Sequence, residues 1–308
     1  MTTIKIALDW TPNINHIGIF LAKEMGFYQE EKIDVEILNP ADDDYRLTPG
    51  KKLEMGITDF AIAPFETVIS LNNKINTVNA IAVFAILKED ISSIATLSSS
   101  GLKSPKDLDG KIYASYKARY EDQIVKELIK NDGGSGDIKL IYPEKLGIWN
   151  TLLQQKADAT WIFNNWEGIE AASKNISLNK FQLADFNIPY CYSPVIITEK
   201  NNLNTNRKEY ENFIKATKKG YQYAIQNKLQ SVNILKEFIT EYDRNNIDLE
   251  KSLDVTAPYF GNETDCGKML TERVEKFLQW LVKNDLEMEG ILHQKLFTNE
   301  LITQGNTE

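Results

Sequence analysis

Short apolar runs with a two-residue period keep giving way to apolar faces with a helical period, and that alternation constrains the fold more than any other feature. Ile4, Ile6 and Leu8 alternate as a strand, which Asp9-Trp10-Thr11-Pro12-Asn13 breaks. Ile17, Phe20, Leu21 and Ala22 then make one helical face ending at Gly26, and Val35, Ile37 and Leu38 form the next strand. Parallel strands joined by a helix form a βαβ unit, whose crossover is right-handed. The pattern repeats as a strand over 56–63, a helix over 64–71 with Pro64 in its first turn, and apolar strands over 81–87 and 94–97.

The polar stretch 98–105 reads as a loop, and Ser104 or Pro105 opens a short helical turn that Gly110 ends. Residues 111–114 begin a second α/β region. It holds a helix through Ile124, Val125, Leu128 and Ile129, a strand over 138–141, a helix carrying Trp149, Leu152 and Leu153, and a buried strand over 157–163. Residues 195–198 read as a strand returning to the first region. The remainder is mainly helical. Tyr210, Phe213, Ile214, Thr217, Tyr221 and Ala224 share one face of a long helix capped by Thr205 or Asn206, and Val274, Phe277, Leu278 and Leu281 mark a later helix. The expected architecture is α/β and two-lobed, with the second lobe inserted in the first and a helical C-terminal region. Lobe 1 would comprise 1–90 and 194–308 and lobe 2 would comprise 91–193, with a ligand cleft between them where strand C-terminal ends meet.

Composition excludes several classes of function. The 308 residues carry a net charge of −9 with no basic block, which argues against nucleic acid, because phosphate neutralisation needs clustered Lys and Arg. No apolar stretch approaches the roughly 20 residues of a membrane span, so no membrane insertion is expected. Two cysteines and two histidines are too few for a Cys-rich zinc centre, so no metal site is expected, and Asp42-Asp43-Asp44 reads as a solvated loop. The N-terminus opens directly into a strand with no basic segment and apolar core before it, which reads as a cytoplasmic protein as the sequence stands, or an extracytoplasmic one if an export signal has been removed. A small-molecule ligand is the expected partner, and no cofactor is expected.

Standard catalytic signatures are missing: no Gly-x-Ser-x-Gly, His-Glu-x-x-His, Walker loop or dinucleotide fingerprint is present. Gly133-Gly134-Ser135-Gly136 follows a helix and reads as a turn. The informative segment runs from Asp9 to His16 at the C-terminal end of the first strand. Trp10 beside Pro12 either stacks on an aromatic ligand, a contact worth about 1–3 kcal/mol for bases, or packs under its own loop. His16 reads as a helix N-terminal or core-edge residue rather than a catalytic base. Glu66 is either a cleft carboxylate or first-turn charge, and Glu167 is a ligand contact or a carboxylate complementing its helix dipole. Tyr190 and Tyr192 flank Cys191 at the second crossing, where either could face the cleft or simply alternate on an edge. Lys117 and Arg119 either take a phosphate or carboxylate tail or stand as solvated cations.

Leu8-Asp9-Trp10-Thr11-Pro12-Asn13 with Asn15-His16, followed by Ala22-Lys23-Glu24-Met25-Gly26-Phe27-Tyr28, resembles the family of thiamin pyrimidine-precursor synthases and related substrate-binding proteins. The resemblance continues in residues 52–60, 106–111 and 156–161. It implies the type 2 periplasmic-binding-protein fold. Its synthase branch uses a lysine that binds pyridoxal phosphate, a histidine that donates its imidazole and a cysteine-rich run. Here Thr58, Ile62 and a lone Cys191 fall at those places, and Ser115-Tyr116-Lys117-Ala118-Arg119-Tyr120 replaces a glycine-bearing phosphate loop. A hydroxyl cannot form an imine and Ile has no nitrogen to give, so the resemblance points to the binding branch, which captures aminopyrimidines. It implies that Asp9 and Trp10 belong to the ligand loop and that Glu167 reads the ring; Asn13, His16, Glu66, Tyr116, Arg119, Trp166, Tyr190 and Tyr192 are the further candidate ligand contacts. An ABC transporter permease is the implied partner. The alternative is an enzyme that makes or modifies a thiamin pyrimidine precursor, recruiting His16, Glu66 or Cys191.

Overall fold

The structure is a computed structural model that describes residues 1–74, 78–143 and 151–302. Among the described residues ten strands form two sheets of five. β1 (Thr2–Ala7), β2 (Ile33–Leu38), β3 (Phe60–Ala63), β4 (Ala80–Ala85) and β10 (Val195–Glu199) make the first, in the order β2-β1-β3-β10-β4. The second contains β5 (Ser92–Leu97), β6 (Ile112–Ala114), β7 (Lys139–Ile141), β8 (Ala159–Phe163) and β9 (Leu178–Phe181), in the order β7-β6-β8-β5-β9. Both are mixed. β1 runs parallel to β2 and β3, whereas β10 is antiparallel to β3 and β4. In the second sheet β6 is parallel to β7 and β8, and β5 is antiparallel to β8 and β9.

The elements form where periodicity demands them. β3, inside the first sheet, and β4, at its end, are buried along their whole length, so both read as continuous apolar runs, while β2 at the other end alternates buried and exposed residues at its start. The helix Ile17–Glu24 follows a short turn whose N-terminus Asn13 caps by accepting the Asn15 N–H. Its partner is the long helix Arg207–Gln226, preceded by Asn206. The later helix Thr271–Lys283 lays Phe277 edge-on to both Tyr120 and Tyr190, so the C-terminal region touches the loop after β6 as well as the first sheet's core. β9 had no sequence signal strong enough to be read, and the helices Lys228–Leu235, Glu241–Asn246 and Leu249–Thr256 were not separated within the helical tail. The helix expected around Trp149 falls largely outside the described residues. No described helix is long and apolar enough to cross a membrane.

Asp42-Asp43-Asp44, expected as a solvated loop, is only partly that. Asp43 Oδ2 pairs with the buried Lys52 ammonium at 3.0 Å, so one of the three acidic residues anchors the helix Pro49–Glu54. Among the described residues no group of three or more His, Cys, Asp or Glu is placed to hold a metal ion.

The helices Ile17–Glu24 and Arg207–Gln226 approach each other closely through two glycines. A Cβ on Gly220 would lie 1.9 Å from the carbonyl oxygen of Gly18, and one on Gly18 would lie 2.4 Å from the Tyr221 ring. Alanine should gain about 1 kcal/mol of helix propensity over glycine, but overpacking against rigid backbone costs about 1–3 kcal/mol, so the clash wins. Gly220→Ala is therefore expected to lower stability in urea unfolding. A midpoint equal to or above that of the parent would show that the two helices do not meet this closely.

Candidate functional site

The loops that leave the C-terminal ends of β1 and β3 face those that leave β6 and β8, and a cavity of about 230 Å³ lies between them. Each sheet therefore contributes two adjacent parallel strands, the arrangement in which an open α/β sheet offers its backbone ends to a ligand. Asp9, Trp10 and Asn13 enter the lining from the first loop, and Pro64 and Glu66 from the loop and helix after β3. Tyr116 and Glu121 come from the segment after β6, and Trp166 and Glu167 from the segment after β8. Tyr190 and Ser193 close the wall from the stretch that leads back to β10.

The first loop is held by its own histidine. His16 is fully buried, its Nδ1 accepts the Asn13 N–H at 3.3 Å, and its Nε2 lies 2.7 Å from Asp9 Oδ1. The tautomer that satisfies both contacts carries the proton on Nε2 and donates it to Asp9. Asp9 is thus oriented at the cavity wall, and the imidazole itself is committed. Trp10 remains 44% exposed and meets Tyr45 at a ring separation of 5.8 Å, so the indole is not packed under its own loop. Asn15 bridges the two sheets' loops: its Oδ1 accepts from Asn165 Nδ2 at 2.8 Å, and its carbonyl accepts the Tyr221 hydroxyl at 2.7 Å.

Four carboxylates line the cavity, Asp9, Glu66, Glu121 and Glu167, and no Lys, Arg or His does so among the described residues. Burial pushes the Glu66 carboxyl up to about 7, and the neighbouring Glu121 charge adds to the rise, while Arg119 and the peptide N–H groups of Tyr120 and Arg119 oppose it. Burial likewise raises Glu167 to about 7, against the Phe163 N–H that donates to its Oε2 at 2.9 Å. Glu121 is fixed by the Tyr113 hydroxyl at 2.8 Å and by the Tyr116 and Ala118 N–H groups at 3.0 and 3.2 Å, and burial raises it too. Aromatic rings form the other walls: Trp10, Tyr116, Trp161, Phe163, Trp166 and Tyr190. Trp161 packs edge-on to Tyr190 at 5.3 Å.

Of the residues singled out in the sequence, Asp9, Trp10, Asn13, Glu66, Tyr116, Trp166, Glu167 and Tyr190 are brought together here. His16, Arg119 and Tyr192 stand outside the lining. His16 lies behind Asp9. Arg119 turns away to Glu287, with Nε and Nη2 at 3.0 and 2.5 Å from its Oε1. Tyr192 is buried with its hydroxyl accepting the Leu270 N–H at 2.8 Å and its ring under the Arg273 guanidinium. The sequence reading missed Trp161, Phe163 and Glu121 as lining residues. Trp161 and Phe163 sit two apart on β8, so alternation puts them on one face, a signal hidden by the buried, apolar character of the whole strand.

Thr58 and Ile62, at the places where a pyridoxal lysine and a donor histidine were considered, are buried and do not line the cavity; the Thr58 hydroxyl has no hydrogen-bond partner. With no lysine in the lining among the described residues, the site does not fit pyridoxal phosphate.

The family described as NMT1/THI5 like matches residues 13–230. The formylaminopyrimidine-binding protein of Halalkalibacterium halodurans is 23% identical over 310 aligned residues, covering 97% of this chain and 90% of the relative. A 4-amino-5-hydroxymethyl-2-methylpyrimidine phosphate synthase of Legionella pneumophila is 24% identical over 240 residues, 75% of this chain and 72% of the relative. Among solved structures, the periplasmic nitrate-binding protein NrtA of Synechocystis PCC 6803 superposes with a TM-score of 0.73 at 11% identity, covering 98% of this chain and 87% of NrtA. The fold is the two-lobed type 2 periplasmic-binding-protein fold.

Two predictions follow from the buried polar groups. A carboxyl whose folded value is raised binds its proton more tightly in the folded chain, so its contribution to stability is full below its ordinary 4.5 and is lost as pH rises through about 7. The stability of the parent relative to Glu66→Gln should therefore fall by up to about 3 kcal/mol between those values, read from urea unfolding at stepped pH. A flat difference would place Glu66 in water. His16→Ala, which strands the Asn13 N–H and removes the Asp9 anchor, should cost about 1–3 kcal/mol in the same measurement at fixed pH. A neutral result would show that the imidazole does not hold the loop.

Proposed function

The chain belongs to the NMT1/THI5-like family, and on that premise we propose that it is a binding protein that closes, without catalysis, on an aminopyrimidine of thiamin biosynthesis or salvage. One observation carries the reading: an aromatic-walled cavity between the two sheets sets the half-exposed Trp10 in the same lining as the carboxylates of Asp9 and Glu167. An aminopyrimidine presents a flat π face with a ring nitrogen and an exocyclic amino group on its edge. Trp10 would stack on the face. Glu167 would take the edge through paired hydrogen bonds, which are strongest when one partner is charged. Asp9, oriented by His16, would meet a second polar group. The name of the Halalkalibacterium relative, a formylaminopyrimidine-binding protein, supports the ligand class.

The lobes are proposed to divide at 1–90 with 194–308, and 91–193, so that the two crossings act as a hinge and closure excludes water from the cavity. Delivery to an ABC permease on the outer side of the cytoplasmic membrane is the role proposed for the closed form, as for a protein like the periplasmic neighbours. Fractionation of the source cells tests the location.

Calorimetry and thermal unfolding with 4-amino-5-hydroxymethyl-2-methylpyrimidine and its aminomethyl and formylaminomethyl analogues test the ligand. At a hundred times its dissociation constant, a true ligand should add about 2.7 kcal/mol of stability. Trp10→Ala should then cost about 1–3 kcal/mol of binding. Glu167→Gln should cost about 1.5–3 kcal/mol. Unchanged affinity in the first variant would refute stacking, and in the second would refute edge recognition. Silence with all three pyrimidines would refute the ligand class.

A further inference from the structure

We propose that the cavity selects an unphosphorylated heterocycle bearing a primary ammonium arm, and that Glu66 and Glu121 receive that arm at a subsite separate from Glu167. The inference rests on the reading of the cavity as the ligand site and names what the ligand must carry.

Charge balance is the first argument. The lining brings four carboxylates and no basic side chain among the described residues. The cations nearest in sequence stand outside the lining: Arg119, whose charge reaches Glu66, is bound to Glu287, and the Lys117 ammonium lies over the Tyr142 ring at 5.5 Å. His16 donates its Nε2 proton to Asp9. A phosphate monoester, with close to two negative charges at neutral pH, would enter this space with no counter-charge. A nitrate or sulfonate would meet the same field.

Geometry supplies the second argument. Glu66 reaches the cavity from the first turn of its helix after β3, and Glu121 from the first turn of the helix after β6, so the two sheets each bring one carboxylate to a shared wall. Both are at least nine-tenths buried, and Glu121 is among the largest influences on Glu66. Glu167 instead feels Glu170 and Asp243, which sets it apart from that pair, while Tyr116 lies within the field of Glu167 and of Glu121. Glu121 is held in place by the Tyr113 hydroxyl from β6 and by the Tyr116 and Ala118 N–H groups of the loop that follows, all of them neutral donors that leave its charge unbalanced. Two neighbouring buried carboxylates with no cation beside them in the lining are costly, and an ammonium, with three donors and a compact charge, offsets that cost at both. A hydroxyl or a formamide brings a hydrogen bond and no charge.

The test is calorimetry on the intact protein at one pH and one salt concentration, with pyrimidines sharing the 4-amino-2-methyl ring and differing in the arm at position 5: aminomethyl, formylaminomethyl, hydroxymethyl and hydroxymethyl phosphate. The expected ranking puts aminomethyl about tenfold or more ahead of the two neutral arms, because a charge-assisted hydrogen bond replaces a neutral one, and puts the phosphate last. In Glu66→Gln, with folding checked by its melting transition, the ratio of aminomethyl to hydroxymethyl affinity should fall about tenfold. If the neutral arms or the phosphate bind as tightly as the amine, or if the ratio is unchanged in a folded Glu66→Gln, the inference is overturned while the pyrimidine reading stands. If no arm binds at all, the pyrimidine reading falls and takes the inference with it.

Discussion

Each sheet is completed by the strand that has just arrived from the other. β5, the first strand after the outward crossing, lies between β8 and β9 and runs against both; β10, the first after the return, lies between β3 and β4 and runs against both. Neither antiparallel strand has a neighbour adjacent in both sequence and space on each side, so the first sheet stays open until the chain has passed through the whole of the second. Closing such long loops before their contacts form is entropically expensive and makes pairing slow. The same topology makes the cleft. Because the chain crosses twice at one end of the strands, the C-terminal ends of β1, β3, β6 and β8 are brought face to face, and the cavity lies where those ends meet.

What the cleft holds follows from how its acids are supported. A carboxylate taken out of water needs donors, and each of these has some: Asp9 has the imidazole, Glu121 a tyrosine hydroxyl and two peptide N–H groups, Glu167 the Phe163 N–H. Those donors are neutral. They position the acids without balancing their charge, which is why burial still drives Glu66 and Glu167 well above the usual carboxylate range. The acids are thus positioned by neutral donors, and no cation among the described residues of the lining balances them.

Much of the framework was legible because strands and helices are local patterns. Ile4, Ile6 and Leu8, the face Ile17 to Ala22, and the apolar runs before Pro64 and Asn164 placed the loops that line the cavity, so Trp10, Glu66 and Glu167 could be singled out before their partners were known. What stayed hidden is non-local. Nothing near Arg119 announces Glu287, 168 residues later, and nothing near Tyr192 announces Leu270. Glu121 resembled first-turn charge because that is also what it is; only the fold shows that its helix starts at the cavity wall. Trp161 and Phe163 were hidden for a different reason, since a strand buried on both faces loses the alternation that tells a wall from a core.

The C-terminal segment, which carried no readable motif, bears on the site through charge. Glu287 Oε1 accepts from Arg119 and from the Tyr120 hydroxyl, and its Oε2 accepts from Asn73 Nδ2 at 2.9 Å, so one carboxylate gathers the end of the helix after β3 and the loop after β6. Arg119 follows Ala118, a lining residue, and is the cation best placed to neutralise the acids of the cavity. With its guanidinium paired to Glu287, Arg119 acts on Glu66 only from outside the lining, and no cation stands in the cavity wall among the described residues. Glu287 holds the guanidinium nearest these acids without itself lining the cavity. The tail thus contributes more than a cap on the first sheet's core, because the contact that ties it to the second sheet's loop is also the one that pairs Arg119 outside the lining.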